Sequence, residues 1–311
     1  FDKTRVEEER QRVLRETADE KSSPSFRDER DCSEAFFGKN SPHIYFILGN
    51  EPVVASASAE NLRDFHGRGY HPNNMDLVLV GALPKNIEGL VKKNFGGFKS
   101  GDCKRINLPR NPQLYGNTVL HTKAQELFNR ENPDQSSAYL EILLFAPTQT
   151  DEESYAVDML VDIFGRDSNS RLFTNVSQRK GLAYGVSSKY GRRDNKGVIC
   201  ISGRVHSTRA DEAIDTIFEE MIKLRIDLVP QDSLERLKRI SRYNVAKAFE
   251  TNAGHARVIG LKIDKGITPE YILEKMEEVT PEKIRDAAVR YFPQNRADGK
   301  YVLMLRDPLK K

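Results

Sequence analysis

This chain repeats itself, and the repeat constrains its fold more than any other feature. Ser58-Ala59-Glu60-Asn61-Leu62-Arg63-Asp64 matches Thr280-Pro281-Glu282-Lys283-Ile284-Arg285-Asp286, 222 residues further on. Each copy leads through a helical pattern to an aromatic residue, a proline and an apolar run. Similarity at a fixed offset marks a repeated supersecondary unit. It predicts an α+β fold in which one domain, an antiparallel or mixed sheet packed with helices, occurs twice in tandem. Gly101 to Tyr115, with Pro109 and Pro112, has linker composition. The expected division is residues 1–108, a linker at 109–113, and a complete second domain at 114–311. By the same offset the first copy would begin about 108 positions ahead of Phe1, so 1–108 reads as the C-terminal half of a domain. Half a domain leaves sheet edges and apolar faces open. Further polypeptide is expected to cover them, as an upstream segment or a tightly held partner.

Element by element, Lys3 to Glu20 reads as a polar helix that places Glu9, Val13 and Glu16 on one face. Cys32 to Phe37 suggests a short helix. Ser58 opens a helix to Tyr70, stopped by Pro72-Asn73-Asn74, with His66 and His71 as capping or surface residues at its end. Met75 to Gly81 reads as a buried-type strand, Pro84 to Phe95 as an amphipathic helix, and Asn117 to Thr122 as a strand. Ser137 to Ala146 is so apolar that it should be a central strand. Thr150 and Glu153 form a capping box for a helix carrying Ala156, Met159, Leu160, Ile163 and Phe164. Val198 to Val205 is a strand. Thr208 is expected to cap a helix with Ala213, Ile214, Ile217, Phe218 and Met221 inward. Pro230 and Thr280-Pro281 start two more helices, and Tyr301 to Leu305 closes the sheet.

Composition narrows the function. Basic and acidic side chains number 49 and 46, a net charge of +3, and no Lys/Arg run or aromatic-basic stripe points to nucleic acid. No apolar run approaches the ~20 residues of a membrane helix. Hydrophobic residues at 38% and charged ones at 31% suit a soluble globular protein. Cys32, Cys103 and Cys200 are odd in number and lie outside any C-x-x-C, which argues against a disulfide framework or a cysteine zinc site. That usage favours a reducing compartment, cytoplasm or organelle matrix.

The most informative stretch is residues 165–191. Ser168 to Lys180 suits a short helix with Leu172, Phe173 and Val176 on one face, Gly181 stops it, and Leu182 to Tyr190 alternates as a strand. Here Ser170-Arg171-Leu172-Phe173 and Gly181-Leu182-Ala183-Tyr184 resemble the second-domain signature of pitrilysin/insulinase-type zinc metallopeptidases, the inverted zincins, in their processing-peptidase-like two-domain form. Glu9-Arg10 followed by Val13-Leu14-Arg15-Glu16 resembles that family's E-R-x-x-V-[IL]-x-E helix. Phe65 to Gly81, with Tyr70, Pro72 and Asn74-Met75, resembles the end of its first domain.

The resemblance implies that Glu16 is a zinc ligand, that Glu9 supports the metal site from nearby, and that Tyr184 helps hold the substrate backbone. In such a site Zn2+ lowers the pKa of its bound water towards ~7 and polarises the peptide carbonyl, while a glutamate moves the proton. The family takes its two histidines and that glutamate from H-x-x-E-H on one helix. None of His43, His66, His71, His121, His206 and His255 stands four residues from another, so no catalytic residue is expected in this chain. The motif's place falls in the missing portion, and zinc is expected only in the full-length parent. A second departure is Ser177, where the family has an arginine seven residues before the tyrosine; a hydroxyl lacks both the charge and the forked donors of guanidinium.

The reading that follows is the C-terminal portion of a zinc metalloendopeptidase acting on unfolded or short peptides, which would bind by strand addition inside a two-domain chamber. The alternative is a non-catalytic binding or scaffold subunit of the same fold, paired with an active partner; a homo- or heterodimer is a further expectation for the protein. An unrelated α+β binding protein would leave both the repeat and the signature unexplained.

Overall fold

The computed structural model describes residues 1–39, 41–44, 47–103, 125–129, 137–192, 196–298 and 301–306. In chain order its helices and strands are α1 (Lys3–Ser22), α2 (Pro24–Phe37), α3 (Glu51–Ser56), α4 (Ala59–Gly69), α5 (Ile87–Phe95), β1 (Gln125–Asn129), β2 (Ser137–Ala146) and α6 (Ser154–Gly165). A π-helix at Phe173–Arg179 precedes β3 (Ala183–Arg192) and β4 (Gly197–His206). Then come α7 (Ala210–Ile226), α8 (Gln231–Lys247), α9 (Asn252–Lys265), α10 (Pro269–Glu277), α11 (Pro281–Tyr291) and β5 (Tyr301–Arg306). Contacts group the chain into one unit of Phe1–Ser22, Tyr45–Asn107 and Ile240–Glu274, and a second of Ser23–Ile44, Leu108–Arg239 and Lys275–Lys311. The grouping is interleaved in sequence, whereas the repeat divides the chain at 109–113. That linker lies outside the described residues.

The second unit is built on a five-stranded mixed sheet in the order β1-β5-β2-β4-β3. As its composition predicts, β2 is central, antiparallel to β4 on one side and β5 on the other. Its alternate residues Ala138, Leu140, Ile142, Leu144 and Ala146 are buried on the face covered by α6, α7 and α11. The other face is not left to solvent. There α2 lays Cys32 and Phe36 against Leu143, Val302 and Met304, with Phe36 stacked on Phe145 at 3.9 Å. Coverage of both faces accounts for the nearly unbroken apolar run of β2.

The repeat is visible as structure. α4 and α11 are both 11 residues long. Ser58 Oγ accepts from Asn61 N at 3.1 Å and Thr280 Oγ1 from Lys283 N at 3.3 Å, with both cap residues extended. Ile284 and Ala287 are 0% and 5% exposed, yet Leu62 and Phe65, 222 positions earlier, are 37% and 59% exposed. The same helix face is core in one unit and surface in the other. Among the described residues of the first unit, only Ala59 and Thr17 are buried. His71 does cap, with its ring nitrogens 2.7 and 3.2 Å from the carbonyl oxygens of Gly67 and Lys99.

Several local expectations fail. Met75 to Gly81 is not a buried strand: it pairs with no strand among the described residues, and Met75, Leu77 and Leu79 are exposed. A strand needs a neighbour for its backbone groups, and β-propensity does not supply one. Thr150 and Glu153 form no capping box. Asp151 Oδ2 instead accepts from Thr148 N and Oγ1 at 2.6 and 2.7 Å, α6 starts at Ser154, and Glu153 pairs with Arg290 and accepts from Tyr291 Oη. Thr208 lies within a 3-10 turn at Ser207–Arg209, and α7 begins after it. The strand expected at 117–122 lies outside the described residues, while β1 pairs in parallel with β5.

One charge in the second unit's helical layer makes stability depend on pH. Burial pushes the Asp162 carboxyl up to about 6, although Arg166 donates to both its oxygens at 2.7 and 2.8 Å and pulls the other way. The folded state therefore holds this proton more tightly than the unfolded chain does, and stability falls as pH rises from about 4 to above 6. Asp162→Asn removes the titration. Its Tm relative to wild type is expected to rise between pH 4.5 and 7.5, which thermal denaturation at the two values measures.

Candidate functional site

On α1 the expected carboxylates share one face because seven residues are close to two helical turns. Arg12 lies between them: its Nε is 2.8 Å from Glu9 Oε2 and its Nη1 is 2.7 Å from Glu16 Oε1. All three side chains are exposed, so these are weak surface pairs. The two carboxylates raise the affinity of Arg12 for its proton, the hydrogen bond that Arg12 donates to Glu9 most of all. As a carboxylate, Glu16 is of a donor type that zinc takes, and here it accepts from Arg12. Among the described residues, however, no group of three His, Cys, Asp or Glu side chains is placed to hold a metal.

The second cluster is the 165–191 stretch, in the second unit. Ser170 Oγ accepts from Phe173 N at 3.4 Å and starts the helical turn, while Leu172 and Val176 are buried beneath it. The expected helix is π-wound over Phe173–Arg179. Gly181 then takes φ +58°, and Leu182 N donates to Val176 O at 2.9 Å, closing the turn. Charged contacts with α7 hold the segment. Lys180 Nζ donates to Thr216 Oγ1 at 2.9 Å, Arg209 to Lys180 O at 3.2 Å, and Arg171 lies 3.6 Å from the buried Glu220 carboxylate, which also accepts from Lys223 at 2.6 Å.

Immediately beyond this anchor β3 bulges. Ala183 pairs with Val205 and Gly185 with Arg204, leaving Tyr184 as the extra residue. Bulges re-aim side chains, and Tyr184 is accordingly 63% exposed, its ring centroid 4.7 Å from that of His206 at the end of β4. Nothing in the local sequence marks His206 as a neighbour of Tyr184. It meets Tyr184 only through strand pairing, for which the local sequence carries no signal. Ser177 Oγ, at the position of the expected arginine, is buried and has no hydrogen-bond partner among the described residues. Cys200 is no nucleophile: burial first and the neighbouring Glu141 second push its thiol up to about 12.

This layering of a mixed sheet and helices defines an α+β protein. A solved Pseudomonas fluorescens structure described as a peptidase M16 inactive domain matches with TM-score 0.80 at 17% identity, covering 99% of this chain and 71% of that one. The chain belongs to the M16 peptidase family, since residues 56–241 match the family model described as Peptidase M16 inactive domain. A Bacillus subtilis (strain 168) protein named "Uncharacterized zinc protease YmxG" is 24% identical over 301 residues, 96% of this chain and 70% of the relative. Another from that organism, "Probable inactive metalloprotease YmfF", is 23% identical over 251 residues, 79% of this chain and 56% of the relative.

Two glycines frame the bulge and should differ in cost. A Cβ on Gly181 meets open space, so Gly181→Ala carries only the left-handed strain, about 1–2 kcal/mol. On Gly203 it would run into the carbonyl oxygen of Gly185 and the backbone of Val186. Urea denaturation is expected to show Gly203→Ala as the more damaging of the two.

Proposed function

We propose that this chain contributes the carboxylate side of a zinc site and the companion domain of a metalloendopeptidase that hydrolyses unfolded or short peptides. Glu16 is the metal ligand, Glu9 its supporting carboxylate, and Tyr184 a substrate-backbone contact. Zn2+, when bound by the assembled protein, supplies the activated water. The histidines and general base come from polypeptide joined to or paired with residues 1–108, across the 109–113 linker from the 114–311 domain.

The observation that carries this reading is the contrast between α4 and α11. α11 buries its apolar face against α6, α7 and β2. On α4 the same face is open, together with Met75, Leu77, Leu79, Leu90 and Phe95 of the first unit. A run of exposed apolar residues marks an interaction surface, and the repeat says what fits there: a strand and helix equivalent to β2 and α6. In this family that helix carries H-x-x-E-H, as the resemblance implies. A second reading, a non-catalytic subunit paired with an active partner, is favoured by Ser177 at the arginine position and by the inactive-domain match.

Metal analysis of the assembled protein separates the two readings. About one zinc per chain, lost in Glu16→Gln and lowered about 10–100-fold in affinity by Glu9→Gln, is the expected result for the peptidase. Zinc undiminished in Glu16→Gln would remove that residue from its role. A metal-free assembly without H-x-x-E-H would decide for the scaffold subunit.

A further inference from the structure

The position that should offer a guanidinium beside Tyr184 holds a half-buried serine, and three cations around that segment are engaged. Arg179 donates to Asn175, Lys180 to Thr216, and Arg209 to Glu212. Arg204 is different. Register sets it opposite Gly185 on β3 and Tyr139 on β2, and directly opposed residues share a sheet face. In the bulge, Tyr184 and Gly185 together oppose Arg204, and Gly185 has no side chain to stand between the other two. Tyr184 touches His206, two residues along β4 from Arg204 and therefore on the same face.

Arg204 is exposed and makes no hydrogen bond or ion pair among the described residues. The Tyr184 hydroxyl and the His206 ring nitrogens likewise have no hydrogen-bond partner there. Glu141, the acid next to them by register, accepts from Cys200 at 3.4 Å. One sheet face thus carries a guanidinium, a phenol and an imidazole whose donors are unused.

We propose that Arg204 supplies the donor missing at position 177 and, with Tyr184, takes main-chain carbonyl oxygens of an extended peptide, with His206 flanking. The ligand class follows from spacing and charge. Arg204 and His206 are two strand residues apart, about 7 Å, which is also the interval between successive same-side carbonyls of an extended peptide. The guanidinium and the phenol hydroxyl both donate, and main-chain carbonyl oxygens at that interval accept. The inference rests on the peptide-handling reading above and adds a residue which that reading does not use.

Fluorescence anisotropy of the full 311-residue chain with a labelled, unstructured peptide tests it. Arg204→Gln is expected to raise Kd about tenfold or more, as loss of a charge-assisted hydrogen bond does. Arg204→Lys, which keeps the charge but not the fork, falls between. Tyr184→Phe also weakens binding, and the double variant loses less than the two single effects combined. Lys189→Gln removes the same charge further along that face and should bind as wild type. Unchanged binding by Arg204→Gln, or equal loss in Lys189→Gln, overturns the assignment of Arg204 alone. A wild-type chain that binds no peptide overturns it together with the peptide-handling reading.

Discussion

In the second unit the apolar face of α11 closes over a sheet whose central strand is buried on both sides, and the rest of the structure follows from that closure. Ile284, Ala287 and Ala288 are lost to solvent between α6, α7 and β2, and each buried large side chain contributes roughly 1.5–3 kcal/mol. The sheet, the bulge at Tyr184 and the π-helix before it are all built around this closed core. In the first unit the equivalent helix has the same cap and the same length, but Leu62 and Phe65 face water. The difference lies in what covers the helix.

Three local departures from regular geometry act together on that platform. The π-helix winds its turns wider than an α-helix would, Gly181 reverses the chain in the left-handed region, and the bulge adds one residue to β3. Each is costly or rare by itself. Together they carry the chain from a half-buried helical turn to an edge strand while turning one tyrosine outward. The contacts of Arg171, Lys180 and Arg209 with α7 and its neighbourhood hold the segment from outside the sheet. α1 is a simpler case, since regular helical spacing alone puts Glu9, Arg12 and Glu16 in line.

What could be read from the residues was what local chemistry decides. The caps at Ser58 and Thr280, the stop at Gly181, the central place of β2 and the inward face of α7 were all legible. The errors share one cause. Met75 to Gly81 has the composition of a buried strand and no partner among the described residues, Glu153 turned from its helix to Arg290 and Tyr291, and Thr208 fell within a 3-10 turn. In each a group made a contact, or missed one, that its sequence neighbours do not specify. The place of α2 on the far face of the sheet, more than 100 residues from β2, was equally out of reach.

By itself the sequence determined the family, the repeat, the type of most elements and the shared face of Glu9 and Glu16, because propensity, capping and helical periodicity act over a few residues. Tertiary structure alone decided which copy of the repeated helix is buried, and which side chains stand beside Tyr184. Arg204 and His206 lie 20 and 22 residues beyond that tyrosine, and only the pairing of β3 with β4, offset by one bulged residue, brings them to it. Register between strands is set by packing across the whole sheet, and no short stretch of chain encodes it.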